Sequence, residues 1–398
     1  MRPHPRPIPR ILPATAAAVA FLLAGTGASS AENLSIQAEG SGRYEYDSNP
    51  LLSSTHAEAL SGFVASPKLT VRDETPFTYL ELTGRVDAGT YNRSDYNSND
   101  VFLTFLGSRT GPSWTASLSG AYDDDTTRTS EVAGSGILKA GSRHQRYFLA
   151  PHFAKNLTQI DSLLLDAAFT ASRYADHPQY VDSNTWSFTP SFQHEFSATD
   201  SGSAGLGFSQ YVTASGPKKT QNTLTPSLGW QSRLSERWQM QTSAGVQYTS
   251  TDDDRAANAD NGTSWNYYAN AGLNFQGEQD ALSLQFTHQM SPEGTGTQAE
   301  TSSVSLSGTH TVNSNLDLKL SLSYLRSDGS GTSNTVSNTG EHTYWNVSPG
   351  ITYHLMRQVD VVVSYNHREQ EYASGSSQAS SDVFLISLTY KPDKIDLM

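Results

Sequence analysis

The sequence contains no cysteine. That excludes disulfides, thiolate metal sites, cysteine nucleophiles and a lipid anchor on an N-terminal thiol. Positive charge is also short: 26 Lys and Arg stand against 39 Asp and Glu, a formal charge of −13. Such a chain lacks the basic footprint that neutralises phosphates, so no nucleic-acid partner is expected. Only 36% of the 398 residues are hydrophobic, below the roughly 45–50% of a typical globular domain, a figure that also counts glycine. Helical periodicity is almost absent. Aromatics, in contrast, are plentiful: 19 Tyr, 15 Phe and 6 Trp make up 10% of the chain, unlike a disordered sequence. Few aliphatics, many aromatics and abundant Ser, Thr, Asn and Gly describe a chain that buries little and meets two different solvents.

Residues 1–31 read as a secretory signal peptide. Arg2, Arg6 and Arg10 supply the positive segment, residues 11–23 the apolar stretch, and Ser29-Ser30-Ala31 the small residues before cleavage. A membrane-anchoring helix is the rival reading. Pro13 interrupts the apolar run, which is shorter than the roughly 20 residues a spanning helix needs. No later segment approaches that length.

The rest of the chain repeats one theme, segments of about a dozen residues that alternate apolar and polar. The clearest is Leu316-Asp317-Leu318-Lys319-Leu320-Ser321-Leu322-Ser323-Tyr324. Trp186, Phe188, Phe192 and Phe196 alternate with polar residues in another, and Val359, Val361, Val363 and Tyr365 in a third. Eighteen such segments can be marked between residues 34 and 391. A period of two places each set of side chains on one face of a sheet. A soluble sandwich would alternate too, so other features must decide.

Three do. Short connections, near residues 72–76, 107–112, 156–161, 198–201, 234–237, 277–279, 313–315 and 356–358, alternate with longer polar ones such as 47–57, 123–142, 251–262, 327–341 and 372–380. That asymmetry is the pattern of outer-membrane barrels. Aromatics sit at the ends of the apolar faces: Tyr44, Tyr46, Trp114, Tyr122, Trp186, Trp230, Trp238, Trp265, Tyr324 and Tyr390. Such rings form interfacial girdles. The opposite faces are too polar for a packed core, as in Gln239, Gln241, Ser243 and Gln247 or Ser303, Ser305, Ser307 and Thr309. The expectation is an all-β fold, a single transmembrane antiparallel up-and-down barrel of about 18 strands (16–18). Short turns would face the periplasm and long loops the exterior of a Gram-negative outer membrane. Pro67, Pro151, Pro190, Pro226 and Pro349 fall inside expected strands, where each deletes a ladder donor. All five lie on strands leading toward short turns, which points to bulges at one depth.

Enzymatic chemistry finds little support. The 11 His form no HExxH. Asp176-His177 is an acid–histidine neighbour pair, but it stands in an expected loop beside Pro178. Asp123-Asp124-Asp125 and Asp252-Asp253-Asp254 begin two expected long loops, and neither matches a calcium-loop motif. No catalytic residue, cofactor or metal is expected. Expected strands start close to Glu32 and end at Lys391, so the reading foresees a barrel without plug, passenger or peptidoglycan-binding domain.

Parity along each strand then gives the non-lipid face. Its basic members are Arg43, Lys68, Arg72, Arg85, Arg146, Arg233, Lys319, Arg368 and Lys391; its acidic members are Glu39, Glu45, Glu81, Asp87, Asp123, Asp166, Glu195, Asp317 and Asp360. Nine of each sign make no basic ladder for a polyanion. Glu81, Arg85 and Asp87 share a face, so some charges are expected to pair across the lumen. The remaining Ser, Thr, Asn, Gln, Gly and Tyr suit hydrated solutes such as sugars, and about eighteen strands leave room for an aqueous path. The alternative is a structural or adhesive barrel whose loops, above all 123–142 or 327–341, occlude the lumen.

Tyr44-Glu45-Tyr46-Asp47-Ser48-Asn49-Pro50-Leu51, with Ser66-Pro67 and Leu69 and the region of Tyr91 and Tyr96 after it, resembles the opening of the outer-membrane β-barrel porin 2 family. Arg368 to Tyr372, followed by Asp382-Val383-Phe384-Leu385 and Ser387-Leu388-Thr389-Tyr390, resembles that family's closing hairpin. The resemblance implies an outer-membrane channel in the setting of exopolysaccharide synthesis and export. It also implies membrane lipids, lipopolysaccharide, polysaccharide and a periplasmic export protein as partners. One departure is the eight-residue tail after Tyr390, since such barrels commonly finish on the aromatic.

Overall fold

The alternating segments fold as strands of 13 to 16 residues, and the eighteen expected are the eighteen that form the ring. A computed structural model describes residues 34–134, 142–175, 180–216, 218–254, 262–292, 296, 298–328, 341–372 and 377–397. The expected signal peptide and the Asp176-His177 pair lie outside the described residues. In chain order the first nine strands are β1 (Leu34–Asp47), β2 (Leu60–Glu74), β3 (Thr78–Tyr91), β4 (Ser98–Gly111), β5 (Trp114–Thr126), β6 (Arg143–Asn156), β7 (Asp161–Tyr174), β8 (Ser183–Glu195) and β9 (Asp200–Thr213). The next nine are β10 (Lys219–Arg233), β11 (Trp238–Asp253), β12 (Gly262–Gln276), β13 (Asp280–Pro292), β14 (Gln298–Asn313), β15 (Leu316–Asp328), β16 (His342–Met356), β17 (Val359–Tyr372) and β18 (Ser377–Tyr390). Each pairs antiparallel with the next, and β18 pairs with β1, so the sheet closes on itself. A short helix, α1 (Thr127–Gly134), follows β5.

The short turns explain themselves locally. Four place a Ser or Thr hydroxyl where it accepts the amide three residues on: Thr75 from Thr78, Thr158 from Asp161, Ser197 from Asp200 and Ser235 from Trp238. Such side-chain bonds favour a turn over continued ladder. The acid triplets are a correction to the sequence reading. Asp123, Asp124 and Asp125 lie within β5 rather than opening a loop, because the facing strand supplies Arg146, Arg143 and His144 as partners. Asp252 and Asp253 likewise continue β11.

The five prolines correct another expectation. None makes a bulge. On β2, β6, β8, β10 and β16 the proline stays in register with the preceding strand, while the proline and the residue before it drop out of the ladder to the following strand. Register is the same on both sides of each gap. The missing N–H would have pointed at the following strand, so each proline deletes one ladder rung without adding a residue. Among the described residues, register shifts occur instead near the short turns, between Thr311 and Asn313 and between His354 and Met356. Opposite the Pro226 gap the strands approach closely. A Cβ on Gly245 would run into the Pro226 carbonyl oxygen, so only glycine fits there.

The seam uses both segments that carry the family resemblance. β18 covers only Gly40 to Asp47 of β1. At the upper end of this seam Asp47 accepts Arg368 and Ser381 at 2.6 Å each, and Asn49 donates to the Ser380 carbonyl at 3.0 Å. Ser48 and Asp382 exchange two further bonds. At the lower end the tail returns. A three-residue strand, β19 (Ile395–Leu397), pairs with Leu34 to Ile36 of β1 and covers the edge that β18 leaves open. Gln37 holds the Pro392 carbonyl at 2.8 Å, and Arg357 and Gln358 hold Asp393 at 3.3 and 3.2 Å. Residues 391–397 thus bring β19 to cap a strand edge that β18 does not reach.

Candidate functional site

Register assigns every strand residue to one of two faces, and contacts show which face is concave. Arg43 of β1 meets Asp87 of β3, two strands on, at 3.6 Å. Arg128 of α1 reaches Glu45 of β1 and Tyr91 of β3. Side chains converge in this way only inside a closed sheet. The outer face carries exposed apolar residues, among them Phe63, Leu82, Phe188, Leu228, Ile351 and Ile386. All ten aromatics named above lie on that face by register. Trp114, Trp230, Trp238 and Tyr390 stand near the short turns, and the others toward the long loops.

All the charged positions selected from parity lie on the inner face. Most are paired, and they pair along the wall, within a strand or with a strand one or two away, rather than across the lumen. Lys68 meets Glu39 at 3.6 Å, Arg72 meets Glu81 at 2.6 Å, and Arg85 meets Asp87 at 3.1 Å. Arg146 holds Asp123 at 2.6 Å. Asp166 bonds His152 at 2.7 Å; Asp317 and Asp360 share His354, with Lys391 also on Asp360. Arg43 bonds Glu45 at 3.4 Å, and Arg368 bonds Asp47 at 2.6 Å. Glu195, Arg233 and Lys319 carry no ion pair among the described residues. Also among these residues, no three His, Asp or Glu come together in a way that could hold a metal ion.

The charges are unevenly spread. The inner positions of β15 through β18 and β1 through β7 hold nearly all of them. Those of β8 to β14 are Ser, Thr, Gln, Asn, Gly, Ala and Tyr, apart from Glu195 and Arg233 near the short turns and Lys219 and Asp253 near the long loops. The larger arc of the wall is therefore lined by ion pairs, the smaller, β8 to β14, by hydroxyls and amides.

Sequence reasoning missed an inner apolar cluster and the helix that meets it. Leu60, Val64 and Tyr91 are buried on the inner face, with Tyr96 packed against them. Arg128 donates to the Tyr91 hydroxyl at 2.9 Å and to Glu45 at 3.3 Å, and Tyr91 donates to Glu45 at 2.8 Å. The guanidinium also lies 5.1 Å from the Tyr91 ring centroid. Burial opposes the charge of Arg128, but Tyr91 and Glu45 outweigh it and hold the pKa above its ordinary value. The base of the helix is tied down as well, with Thr127 and Ser142 exchanging two bonds and Ser130 bonded to His144. The Arg128 side chain at the start of α1 therefore reaches along the inside of the barrel from the end of β5 toward β1 and β3. Farther round, Val181 before β8 and Gly296 before β14 are so close that a Cβ on Gly296 would lie 2.9 Å from Val181. One sequence signal was available. Segment 101–106, Val-Phe-Leu-Thr-Phe-Leu, is apolar on both faces, and its Phe102 stacks inward under Arg85 at 4.2 Å.

Solved structures of similar shape include the unliganded ferric citrate transporter FecA, with TM-score 0.49 and 9% identity over 91% of this chain and 79% of that one. Another is the apoprotein form of the FrpB iron transporter from Neisseria meningitidis (F5-1 variant), with TM-score 0.49 and 10% identity over 85% of this chain. The chain spans 62% of that protein's length. OccAB3 of Acinetobacter baumannii gives TM-score 0.45 and 10% identity over 90% of this chain and 99% of that one. No protein-family model and no curated protein sequence matches the chain. At such identities the likeness concerns barrel shape alone.

Proposed function

We propose that the chain is an outer-membrane channel for hydrophilic solutes, its lumen lined by the inner charges and the hydroxyl and amide wall. The observation that carries this reading is closure combined with polarity: eighteen strands join into one ring, apolar and aromatic outside, polar inside. In hydrocarbon every backbone N–H and C=O must be paired, and a closed sheet achieves that. Strands of 13 to 16 residues are longer than the roughly 9–11 needed to cross, so each is long enough to span the lipid. Eighteen strands are enough for an aqueous path. The resemblance of the two seam segments to the β-barrel porin 2 family supports a setting in exopolysaccharide export. In that setting the partners are membrane lipids, lipopolysaccharide, polysaccharide and a periplasmic export protein.

Liposomes carrying the purified barrel test the reading. They should swell in isotonic solutions of small uncharged solutes and more slowly as solute size rises; swelling no faster than that of empty liposomes contradicts it. The alternative, a structural or adhesive barrel with an occluded lumen, is favoured by one observation, the α1 segment held inside by Arg128. Release of that segment distinguishes the two.

A further inference from the structure

We propose a binding subsite for a net-neutral, zwitterionic solute, a short peptide, at the short-turn mouth of the lumen between β8 and β12. It rests on the channel reading for its access, not for its chemistry. The wall there forms a concavity of about 320 Å³ lined by Gln193, Glu195, Gln231, Arg233, Gln239 and Gln241, among others. Two features set it apart.

First, its two inward charges have no ion pair among the described residues. Every other inward acid and base selected from parity, except Lys319, sits in an ion pair or a histidine bond, whereas Glu195 and Arg233 border the cavity exposed and, among the described residues, unpaired. Asp200 also borders the cavity, but the Ser197, Thr199 and Ser232 hydroxyls occupy its carboxylate. Second, the side chains around the two charges are polar and uncharged: Ser201 lies between them, Gln193 and Gln231 stand next to each on its own strand, and Gln239 lies beyond Arg233. Glu195 is level with Gln231 through Ser201, and Arg233 lies two residues nearer the rim, directly opposite Gln239. Strand spacing and rise put the Cα atoms of Glu195 and Arg233 roughly 12 Å apart along the wall. Both side chains can reach inward from there toward the ends of an extended di- or tripeptide, which lie about 7–10 Å apart.

The chemistry follows. An anion would meet Arg233 but be repelled by Glu195, and a cation the reverse. A zwitterion satisfies both, its ammonium on Glu195 and its carboxylate on Arg233. The Ser201 hydroxyl between them and the Gln231 amide beside Arg233, each able to donate and to accept, match the peptide groups of such a solute. A neutral polyhydroxyl solute would use the amides and leave both charges unused.

Triglycine is the probe. The full-length barrel in detergent is titrated calorimetrically, and triglycine is also added to single barrels in planar bilayers. Saturable binding and brief current blocks are expected. Glu195→Gln and Arg233→Gln should each weaken binding by about tenfold while retaining the heat-modifiable fold. N-acetyl-triglycine amide, which lacks both charges, should bind no better than triglycine binds the double variant. Absence of saturable binding, indifference to both substitutions, or equal binding of raffinose overturns the proposal. A barrel that binds triglycine but conducts no current overturns the channel reading and upholds the subsite. One that conducts without binding triglycine does the reverse.

Discussion

Arg128→Ala removes the contact that holds α1 against the β1–β3 wall. The guanidinium makes two bonds, at 2.9 and 3.3 Å, to groups that are themselves buried; the side chains of Arg128 and Glu45 are only 17% and 11% exposed. Removing one partner of a buried pair costs about 3–5 kcal/mol, because the other charge is left behind. Here Glu45 keeps the Tyr91 hydroxyl at 2.8 Å and Arg43 at 3.4 Å, so the lower end applies. About 3 kcal/mol corresponds to a shift of about 150-fold in the equilibrium between a docked and a released segment. The assay is single-barrel current recording of the parent, Arg128→Ala and Glu45→Gln proteins. Both variants should show larger or more frequently interrupted current steps than the parent. The double variant should add little, since both remove the same contact. Unchanged currents in Arg128→Ala, with the heat-modifiable fold intact, would refute the idea that this contact restricts the lumen.

Three further outcomes follow from the fold. Deleting residues 391–398 strips β19 from Leu34 to Ile36 of β1, and the barrel should lose heat resistance in a gel-shift assay while keeping its strand content by circular dichroism; an unchanged transition would mean that the tail closes nothing. Leu320→Arg, on the outer face, should impair folding into lipid by roughly 2–4 kcal/mol if near the midplane, whereas Ser321→Arg, its inner neighbour, should be tolerated; equal effects would reverse the face assignment. Gly245→Val should block assembly at the Pro226 gap, while Gly40→Ala, with open space around its Cα, should fold like the parent; comparable yields of both variants would remove the steric argument.

What the sequence made legible was anything that depends on period two. Alternation located the eighteen strands, and parity put the charged residues from Arg43 to Lys391 on one face, because a strand's faces follow from its own residues alone. What it hid depends on neighbours. Asp123 to Asp125 looked like the start of a loop because Arg146, Arg143 and His144 stand across a connection and become partners only once β5 and β6 register. The ion pairs run along the wall for the same reason. Arg128 was invisible as a lumen residue, since nothing local says that a polar connection will turn inward. The tail was read as a departure because such barrels commonly finish on the aromatic, and nothing local to three residues, Ile395 to Leu397, says that they will pair with the far end of the chain. The prolines misled differently: a missing donor resembles a bulge in sequence, and only the unshifted register on both sides shows a deleted rung.

The closed ring is proposed to enclose a path for ions and solutes. Purified barrel, freed of residues 1–31, should insert into planar bilayers and give discrete conductance steps. In a salt gradient the reversal potential should stay near zero, because most inner charges are cancelled by a partner on the wall. Bilayers that remain silent with a correctly folded barrel, and stay silent with Arg128→Ala, would contradict the channel and leave a closed structural barrel in its place.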